Sequence, residues 1–399
     1  MSHGLTPSEI FVTRLCNRSF LKLWTHPNPI GKKGKELCDC LIVCGPHIVI
    51  ISVKENEYKD TGDSTGLQRW NKAAVEKSVS QIWGAERWLE SSTKITRHDD
   101  RIITLPPKTE RRYHRISVSL GGRGKVSLEW GDFGNGFVHI CDEYSVGVLL
   151  GELDTISDFV GFLTASETLV SNGVKPVFSG GGVEDLVGLF LSCNHSFELL
   201  PQSPETPDLL IIQEGIWKEY RESDLYKEIS QDLRESYIWD RLIEHYTADL
   251  LSDGMFDMHS KEVTQNELAL VTMALQPRGH RANLAESFID FLRNQKLKVA
   301  SRVVLGDNNT AFVFLVGKSS DREVRSKELF LRCLVIRGRI PNITTVIGIA
   351  TDKSGTSDIG YSSDIAYLHL PEWSDENEKK VKSIQADLGY FQNTKWKTD

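Results

Sequence analysis

The chain lacks any long hydrophobic run. No apolar stretch approaches the roughly eighteen residues that a membrane-spanning helix needs, and no charged segment followed by an apolar one opens the sequence. The seven cysteines have no paired spacing, and an odd count leaves one of them unpaired, which argues against a disulfide framework. We therefore expect a cytoplasmic protein without a membrane segment, in which the cysteines are core thiols.

Several common catalytic motifs are also missing. The tripeptide DFG at 132–134 has no HRD loop before it and no VAIK strand, so it does not indicate a kinase. The segment GGRGK at 121–125 lacks the phosphate-loop spacing GxxxxGK[ST] and is typical of a hairpin turn. The segment SSD at 362–364 is not a nucleophile elbow. These motifs therefore favour neither kinase, P-loop nor serine hydrolase chemistry.

Positive charge is in the minority, with 47 Lys and Arg residues against 55 Asp and Glu residues and a formal net charge of −8. This balance argues against a surface covered in positive charge for bulk nucleic-acid binding, although it allows a local basic groove. Residues 94–125 are locally basic and could contact phosphates, or they could form a solvated loop and strand edge. The candidate nucleic-acid contacts are Lys77, Arg111, Arg112, Arg115, Arg123 and Lys125.

The most informative segment of the chain is GKELCDCLIVCGPHIVIISVKEN, at 34–56. Residues 40–44 and 48–51 are short apolar runs rich in β-branched side chains, as strands are. The dipeptide Gly45-Pro46 between them is strong turn chemistry. The segment therefore predicts an antiparallel hairpin.

The register of this hairpin decides which side chains meet. A two-residue type II′ turn, with Gly45 at positive φ, places Asp39 directly opposite Ser52. Because side chains alternate along a strand, Lys54 then shares the face of Ser52. A three-residue loop would turn Asp39 to the other face unless a bulge restored it. With the two-residue turn, the three side chains converge on one patch.

Such a patch suits phosphodiester hydrolysis. This reaction needs a hard divalent cation, which prefers oxygen ligands, and a positive group that positions water and stabilises the charge on phosphorus. Asp39 could bind the metal ion and Lys54 could supply the positive group. The alternative is that Asp39 is a turn residue and Lys54 a solvated strand end.

Over about residues 6–90, this arrangement resembles the PD-(D/E)XK, or restriction-endonuclease-like, nuclease superfamily. That family has a glutamate on an early helix, an aspartate opening a strand, (D/E)-x-K on the next strand, and Gln, Lys or Tyr on a later helix. In the same order this chain has Glu9, Asp39, Ser52-Val53-Lys54, and Gln81 or Lys77. Ser52 stands where the family has its second carboxylate, so Glu36 or Glu55 could supply the missing oxygen by migration.

The resemblance implies a specific division of roles. Lys54, Asp39 and Gln81 would be catalytic, and the ligands of Mg²⁺ or Mn²⁺ would come from Asp39, Glu36, Glu55 and Glu9. Glu9 also has an alternative role, because Thr6-Pro7-Ser8-Glu9 matches a capping box for a helix that begins near residue 7. A second long helix is expected over 67–89, where Lys77 and Gln81 share a face that could look toward the hairpin or toward water.

The sequence predicts an α/β fold in two domains. Residues 1–200 would form a restriction-endonuclease-like mixed sheet flanked by helices, and the segment PQSPETPD after them is the clearest boundary. Residues 209–399 read as a helical region followed by an α/β unit of unknown role. In that unit, strands are expected at 301–305, 310–316, 344–350 and 364–370, with helices at 322–335 and 374–388.

These expectations combine into a metal-dependent nuclease that hydrolyses DNA phosphodiester bonds, with a role in antiphage defence suggested by analogy with the superfamily. The alternative is a catalytically inactive nuclease-like module that binds nucleic acid or a partner protein. A protein-interacting scaffold is a further alternative, with a partner or a second copy docking through the C-terminal half. DNA or RNA, and cleavage at ends or at internal bonds, stay open at this point.

Overall fold

The computed structural model describes residues 5–97, 99, 101–126, 128, 131–198, 200, 208–252, 264–293, 300–317, 322–352 and 363–392. The chain divides into two compact units. The first comprises Met1–Asp232 with Thr247–Glu262, and the second comprises Leu233–Tyr246 with Val263–Asp399. The boundary signal at 201–207 lies outside the described residues. Both units combine helices and strands, so the expected α/β class is confirmed.

The elements of the first unit, in chain order, are α1 (Pro7–Phe20), β1 (Thr25–Pro27), β2 (Cys40–Cys44), β3 (His47–Glu55), α2 (Ser64–Asn71), α3 (Lys77–Ser91), β4 (Lys94–Thr96), β5 (Ile102–Thr104), β6 (Arg112–Leu120), β7 (Gly131–Asp132), β8 (Phe137–Cys141), α4 (Glu143–Glu152), α5 (Ile156–Ser171), β9 (Lys175–Ser179), α6 (Val183–Ser192), β10 (Leu209–Gln213), α7 (Ile216–Glu222) and α8 (Asp224–Asp232). Its main sheet has six strands in the order β1-β2-β3-β6-β8-β7. β1, β2 and β3 form an antiparallel meander, and β6 joins β3 in parallel.

The predicted hairpin is confirmed. Gly45 adopts a φ of 56°, the positive value that the two-residue turn needs. Cys44 pairs with His47 and Cys40 pairs with Ile51. Extending that register by one residue sets Asp39 opposite Ser52, as the turn chemistry predicted.

The helices that flank the hairpin follow their local signals. α1 begins at Pro7, and Thr6 and Glu9 form the reciprocal capping box that the sequence predicted. The helix expected over 67–89 begins earlier, because the Asp63 side chain accepts a hydrogen bond from the backbone N–H of Thr65 and caps α2 at Ser64. A single π-helical turn over Lys72–Glu76 joins α2 to α3.

The main sheet is covered on both faces. On one face, the hairpin residues Leu41 and Ile50 pack in the same hydrophobic cluster as Ile82 and Leu89 of α3. On the other face, α1 lies against the hairpin, where Cys16 contacts Cys40. Because β2 and β3 are covered on both faces, they read as near-continuous apolar runs.

The second unit contains α9 (Ser236–Ser252), which extends past the unit boundary, and then α10 (Gln265–Ala274), α11 (Arg278–Arg293), β11 (Ala300–Leu305), β12 (Thr310–Gly317), α12 (Arg322–Arg339), β13 (Thr345–Asp352), β14 (Ser363–His369) and α13 (Asp375–Leu388). Its four strands lie in the order β11-β12-β13-β14, with only the central pair parallel. The strands and helices expected here are confirmed. α12 and α13 pack on one face of the sheet. On the other, Trp239 packs against Phe312 at 5.1 Å between ring centroids.

The cysteines and the hydropathy of the helices were both subjects of expectations from composition. All seven cysteines carry free thiols, six of them buried, which agrees with their interpretation as core residues. Within the described ranges, no helix combines the length and the apolar character needed to cross a bilayer.

Candidate functional site

Asp39 and Lys54 meet at the end of the hairpin. β3 continues past the last residue of β2 that pairs with it, so the N–H of Val53 has no strand partner on that side. The Asp39 carboxylate takes that place: its Oδ2 accepts a hydrogen bond from Val53 N at 2.6 Å and lies 3.3 Å from Lys54 Nζ. Asp39 is 3% exposed. The hairpin therefore holds one buried carboxylate beside one ammonium group, as the register predicted.

Glu36 is the second carboxyl group of this cluster. Partial burial is the largest cause that raises the pKa of Glu36, from 4.5 to about 7, and a hydrogen bond with Asp39 comes next. The negative charges of Asp39 and Glu9 add to this shift, while Lys54 opposes it. Two carboxyl groups joined by a hydrogen bond hold a proton more tightly than one does, because both cannot ionise cheaply at close range. Glu36 therefore changes its charge near neutral pH.

Ser52 and Gln81 link β3 to α3 beside the same cluster. Ser52 Oγ donates a hydrogen bond to Gln81 Oε1 at 3.0 Å, and Ser78 Oγ donates to the Ser52 carbonyl at 3.4 Å. The amide of Gln81 is thereby oriented, since its oxygen is engaged and its nitrogen retains two N–H donors. Of the two later-helix candidates, Gln81 faces the hairpin, whereas Lys77 is exposed.

The remaining carboxylate candidates are placed differently. Glu55 accepts a hydrogen bond from Ser8 Oγ of α1 and so points to the opposite face of the sheet from Asp39. Glu9 uses its Oε2 to accept from the Thr6 backbone N–H at 2.8 Å, which is the capping role that the sequence offered as the alternative. Glu9 still acts on the cluster through its charge, because that charge raises the pKa of Glu36.

Three of the arginines suggested as nucleic-acid contacts are engaged inside the protein. Arg111 donates to the carbonyls of Pro106, Leu89 and Ser92 at 2.8, 2.6 and 2.9 Å, and so closes the carboxyl end of α3. Arg115 forms a two-nitrogen ion pair with Glu86 of α3. Arg123 bridges Asp142 at 2.7 Å and Glu184 at 3.1 Å. Their guanidinium groups act in packing these elements together.

The other basic candidates, Lys77, Arg112 and Lys125, are exposed. Lys77 precedes Ser78, which contacts Ser52, so it lies at the Lys54 end of the sheet. Arg112 pairs with His47 at the opposite end of β3, about 23 Å along the strand from Lys54. Arg112 therefore lies too far away to contact the same phosphate as Lys54.

The carboxyl groups of this cluster offer the oxygen ligands that a magnesium ion prefers. Over the residues that the structure describes, no group of three or more His, Cys, Asp and Glu side chains is arranged to hold a metal ion. Mg²⁺ needs fewer protein ligands than that, because it keeps several waters and is commonly held by one or two carboxylates together with substrate phosphate. The Asp39 and Glu36 carboxyl groups are hydrogen-bonded to each other, so their oxygens are close enough to serve as metal ligands together. This donor set fits Mg²⁺ or Mn²⁺.

Comparison with known proteins found no relative: no family model, no curated protein and no solved structure matches the chain. The protein is thus an α/β chain with a carboxyl and lysine cluster at the end of a covered hairpin.

Sequence reasoning missed two features of the first unit. His47 Nδ1 lies 3.1 Å from His114 Nε2, and burial is the largest cause that lowers the pKa of these imidazoles, to about 4 and about 3. A cavity lined by Tyr144 and Trp217 was also not foreseen. The histidines in otherwise apolar strands were the sequence signal for the first feature, and no local pattern signalled the second.

Proposed function

We propose that the first unit is a PD-(D/E)XK-like nuclease domain that hydrolyses DNA phosphodiester bonds with Mg²⁺ or Mn²⁺. The observation that carries this proposal is the contact of Lys54 Nζ with Asp39 Oδ2 at 3.3 Å, beside a second carboxyl group, Glu36, with a raised pKa. A buried carboxylate, a second carboxyl group near it and a lysine suit metal-assisted phosphodiester hydrolysis, because the carboxyl oxygens can hold a metal ion and the lysine can stabilise charge on phosphorus.

The order of the elements supports the same proposal. A capped helix is followed by a hairpin that carries Asp39 and Lys54, and then by a helix that directs Gln81 toward the hairpin. This is the order of the nuclease superfamily that the sequence resembles. β1, β2 and β3 form a meander and β6 adds in parallel, which yields a mixed sheet with helices on both faces.

Each residue of the cluster has a role in the proposed reaction. When bound, the metal ion would offset phosphate charge and make water a stronger nucleophile near neutral pH. Asp39 and Glu36 would hold that ion through their oxygens. Lys54 would stabilise the negative charge that develops on phosphorus, and Asp39 keeps its ammonium in place. Gln81 would donate from its amide nitrogen to a phosphate oxygen or to water, because Ser52 engages its amide oxygen.

Substrate positioning is expected to use exposed lysines at this end of the sheet. Lys77 and Lys125 are exposed. Both could contact the DNA backbone, and such contacts weaken as salt concentration rises. A role in antiphage defence belongs to the same proposal and rests on analogy with the superfamily. A cytoplasmic location is proposed with it, on the composition of the chain.

A second candidate function is an inactive nuclease-like module that binds nucleic acid or a partner protein. The observation that favours it is Ser52, a buried hydroxyl at the position of the family's second carboxylate. This module would retain DNA in a salt-sensitive way without cutting it. The second unit would then be the place where a partner protein or a second copy docks.

The deciding experiment incubates the purified full chain with supercoiled and with linear DNA in Mg²⁺ or Mn²⁺, beside an EDTA control. The test variants are Lys54→Ala and Asp39→Asn, which keeps an oxygen acceptor for the Val53 N–H. Lys22→Ala is the matched control, since Lys22 is an exposed lysine on the turn after α1. Metal-dependent nicking that the control keeps and both test variants lose supports the nuclease. Undiminished cutting by both test variants would refute it, and DNA retention without cutting would select the inactive module.

A further inference from the structure

A cavity of about 460 Å³ lies beside α7 and α8 in the first unit. Its lining consists of Tyr144, Trp217, Lys218, Arg221, Glu222 and Lys227. The volume is within the range of small-molecule sites, about 300–1,000 Å³. No lining residue belongs to the cluster around Asp39 and Lys54, so the cavity is a separate feature of the fold.

Aromatic side chains build the apolar part of this cavity. Trp217 is 2% exposed, and its ring packs edge to face against Tyr226 at a centroid distance of 5.9 Å. Tyr220 packs on the same Tyr226 ring at 5.6 Å. Tyr144 is 42% exposed, and the Arg123 guanidinium lies 4.3 Å from its ring centroid. The cavity thus has a fixed aromatic wall and one accessible ring suited to a planar group.

The polar part of the lining is mainly cationic. Lys218, Arg221 and Lys227 contribute three positive groups and Glu222 one negative group. Lys227 is paired with Asp224 at 2.8 Å. Neither Lys218 nor Arg221 forms an ion pair with any residue that the structure describes. The positive charge of Arg221 acts on the Glu152 carboxylate without an ion pair between them. Glu152 accepts hydrogen bonds from the Tyr226 hydroxyl at 3.0 and 3.2 Å.

Trp217 also carries an unsatisfied donor. Its indole Nε1 is buried and has no hydrogen-bond partner among the described residues. A buried N–H without an acceptor is rare in folded proteins and destabilises them, because the group has lost its water and gained nothing. The Arg221 guanidinium lies over the Trp217 ring, 6.0 Å from its centroid, so an anionic group in the cavity would meet Arg221 beside this ring.

We propose that this cavity is a binding site for a small phosphate monoester that carries a planar ring, the chemistry of a nucleoside monophosphate. The phosphate would lie between Lys218 and Arg221, where a guanidinium can donate two parallel hydrogen bonds to its oxygens. The ring would lie against Tyr144. The inference does not rest on the proposed nuclease activity, because it uses other residues and needs no metal ion.

The test is isothermal titration calorimetry of the full chain with adenosine monophosphate in EDTA, beside inorganic phosphate and adenosine as probes of the two halves. The monophosphate is expected to bind more tightly than either half. Arg221→Ala and Lys218→Ala are each expected to weaken binding by about tenfold or more, the loss of one charge-assisted hydrogen bond. Glu222→Gln removes the one negative lining group and is expected to tighten binding.

Controls make the result specific to this cavity. Lys175→Ala removes an exposed lysine on β9 and is expected to leave the affinity unchanged. Circular dichroism on each variant establishes that it is folded. The proposal is overturned if folded wild-type chain shows no binding to millimolar adenosine monophosphate, or if Arg221→Ala and Lys218→Ala bind it as tightly as wild type does. It is equally overturned if Lys54→Ala abolishes the binding while Arg221→Ala keeps it.

Discussion

Ser52 Oγ donates a hydrogen bond to Gln81 Oε1 at 3.0 Å and so joins a strand of the hairpin to the helix that covers it. Ser52 is fully buried. In this chain the hydroxyl has a partner of its own at the position where the resemblance expects a carboxylate. This hydrogen bond couples the packing of α3 on β3 to the orientation of the Gln81 amide.

This coupling can be measured. We expect Ser52→Ala and Gln81→Ala each to lower the free energy of unfolding, and a double-mutant cycle to show a coupling of about 0.5–1.5 kcal/mol, the net value of a hydrogen bond. Urea denaturation of the two single variants and the double variant provides the numbers. Strict additivity of the two substitutions would show that the hydrogen bond contributes nothing in solution.

Asp39 is expected to support the fold as well as the proposed chemistry. Asp39→Ala leaves the buried N–H of Val53 without its acceptor, so it should lower the free energy of unfolding by about 1–3 kcal/mol. Asp39→Asn keeps an acceptor oxygen and should cost less. Urea denaturation of the two variants provides the comparison. Equal losses of unfolding free energy would argue against the role of the Asp39 side chain as the acceptor for the Val53 N–H.

Glu36 should make stability depend on pH. Its pKa is raised from 4.5 to about 7, so it contributes stability that is fully present below pH 4.5 and is lost as the pH rises through 7. Glutamine resembles the protonated form of this side chain. We therefore expect the stability of Glu36→Gln, measured relative to wild type, to increase as the pH rises from 5 to 8. Thermal unfolding at both pH values tests this, and a constant difference between the two proteins would contradict it.

The second unit offers a test of packing that is independent of any function. A Cβ at Gly348 of β13 would lie 2.7 Å from both Cys333 Sγ and Leu329 Cγ of α12. Gly348→Ala is therefore expected to destabilise the protein by about 1–3 kcal/mol through overpacking. Gly279→Ala is the matched control, because a Cβ there meets no atom within 4 Å and alanine favours the helix. Equal stability of the two variants, by urea denaturation, would refute the packing argument.

Local sequence signals were sufficient for the elements around the site. The capping box predicted where α1 begins, because Thr6 and Glu9 bond each other's backbone within one turn. The dipeptide Gly45-Pro46 predicted the hairpin register, because a two-residue turn leaves no freedom in the pairing that follows it. From that register, the convergence of Asp39 with Lys54 followed by alternation alone.

Tertiary packing decided what the other candidates do. The sequence alone determined an α/β chain, its hairpin and the order of its flanking helices, since these depend on spacing between near neighbours. Only the folded structure directed Glu55 toward Ser8 of α1, and Arg111 toward the Leu89 and Ser92 carbonyls at the end of α3. These partners lie far apart in the chain, and no periodic pattern encodes them. Which side chain a charged group meets depends on how helices dock on the sheet, and this docking is a property of the assembled core.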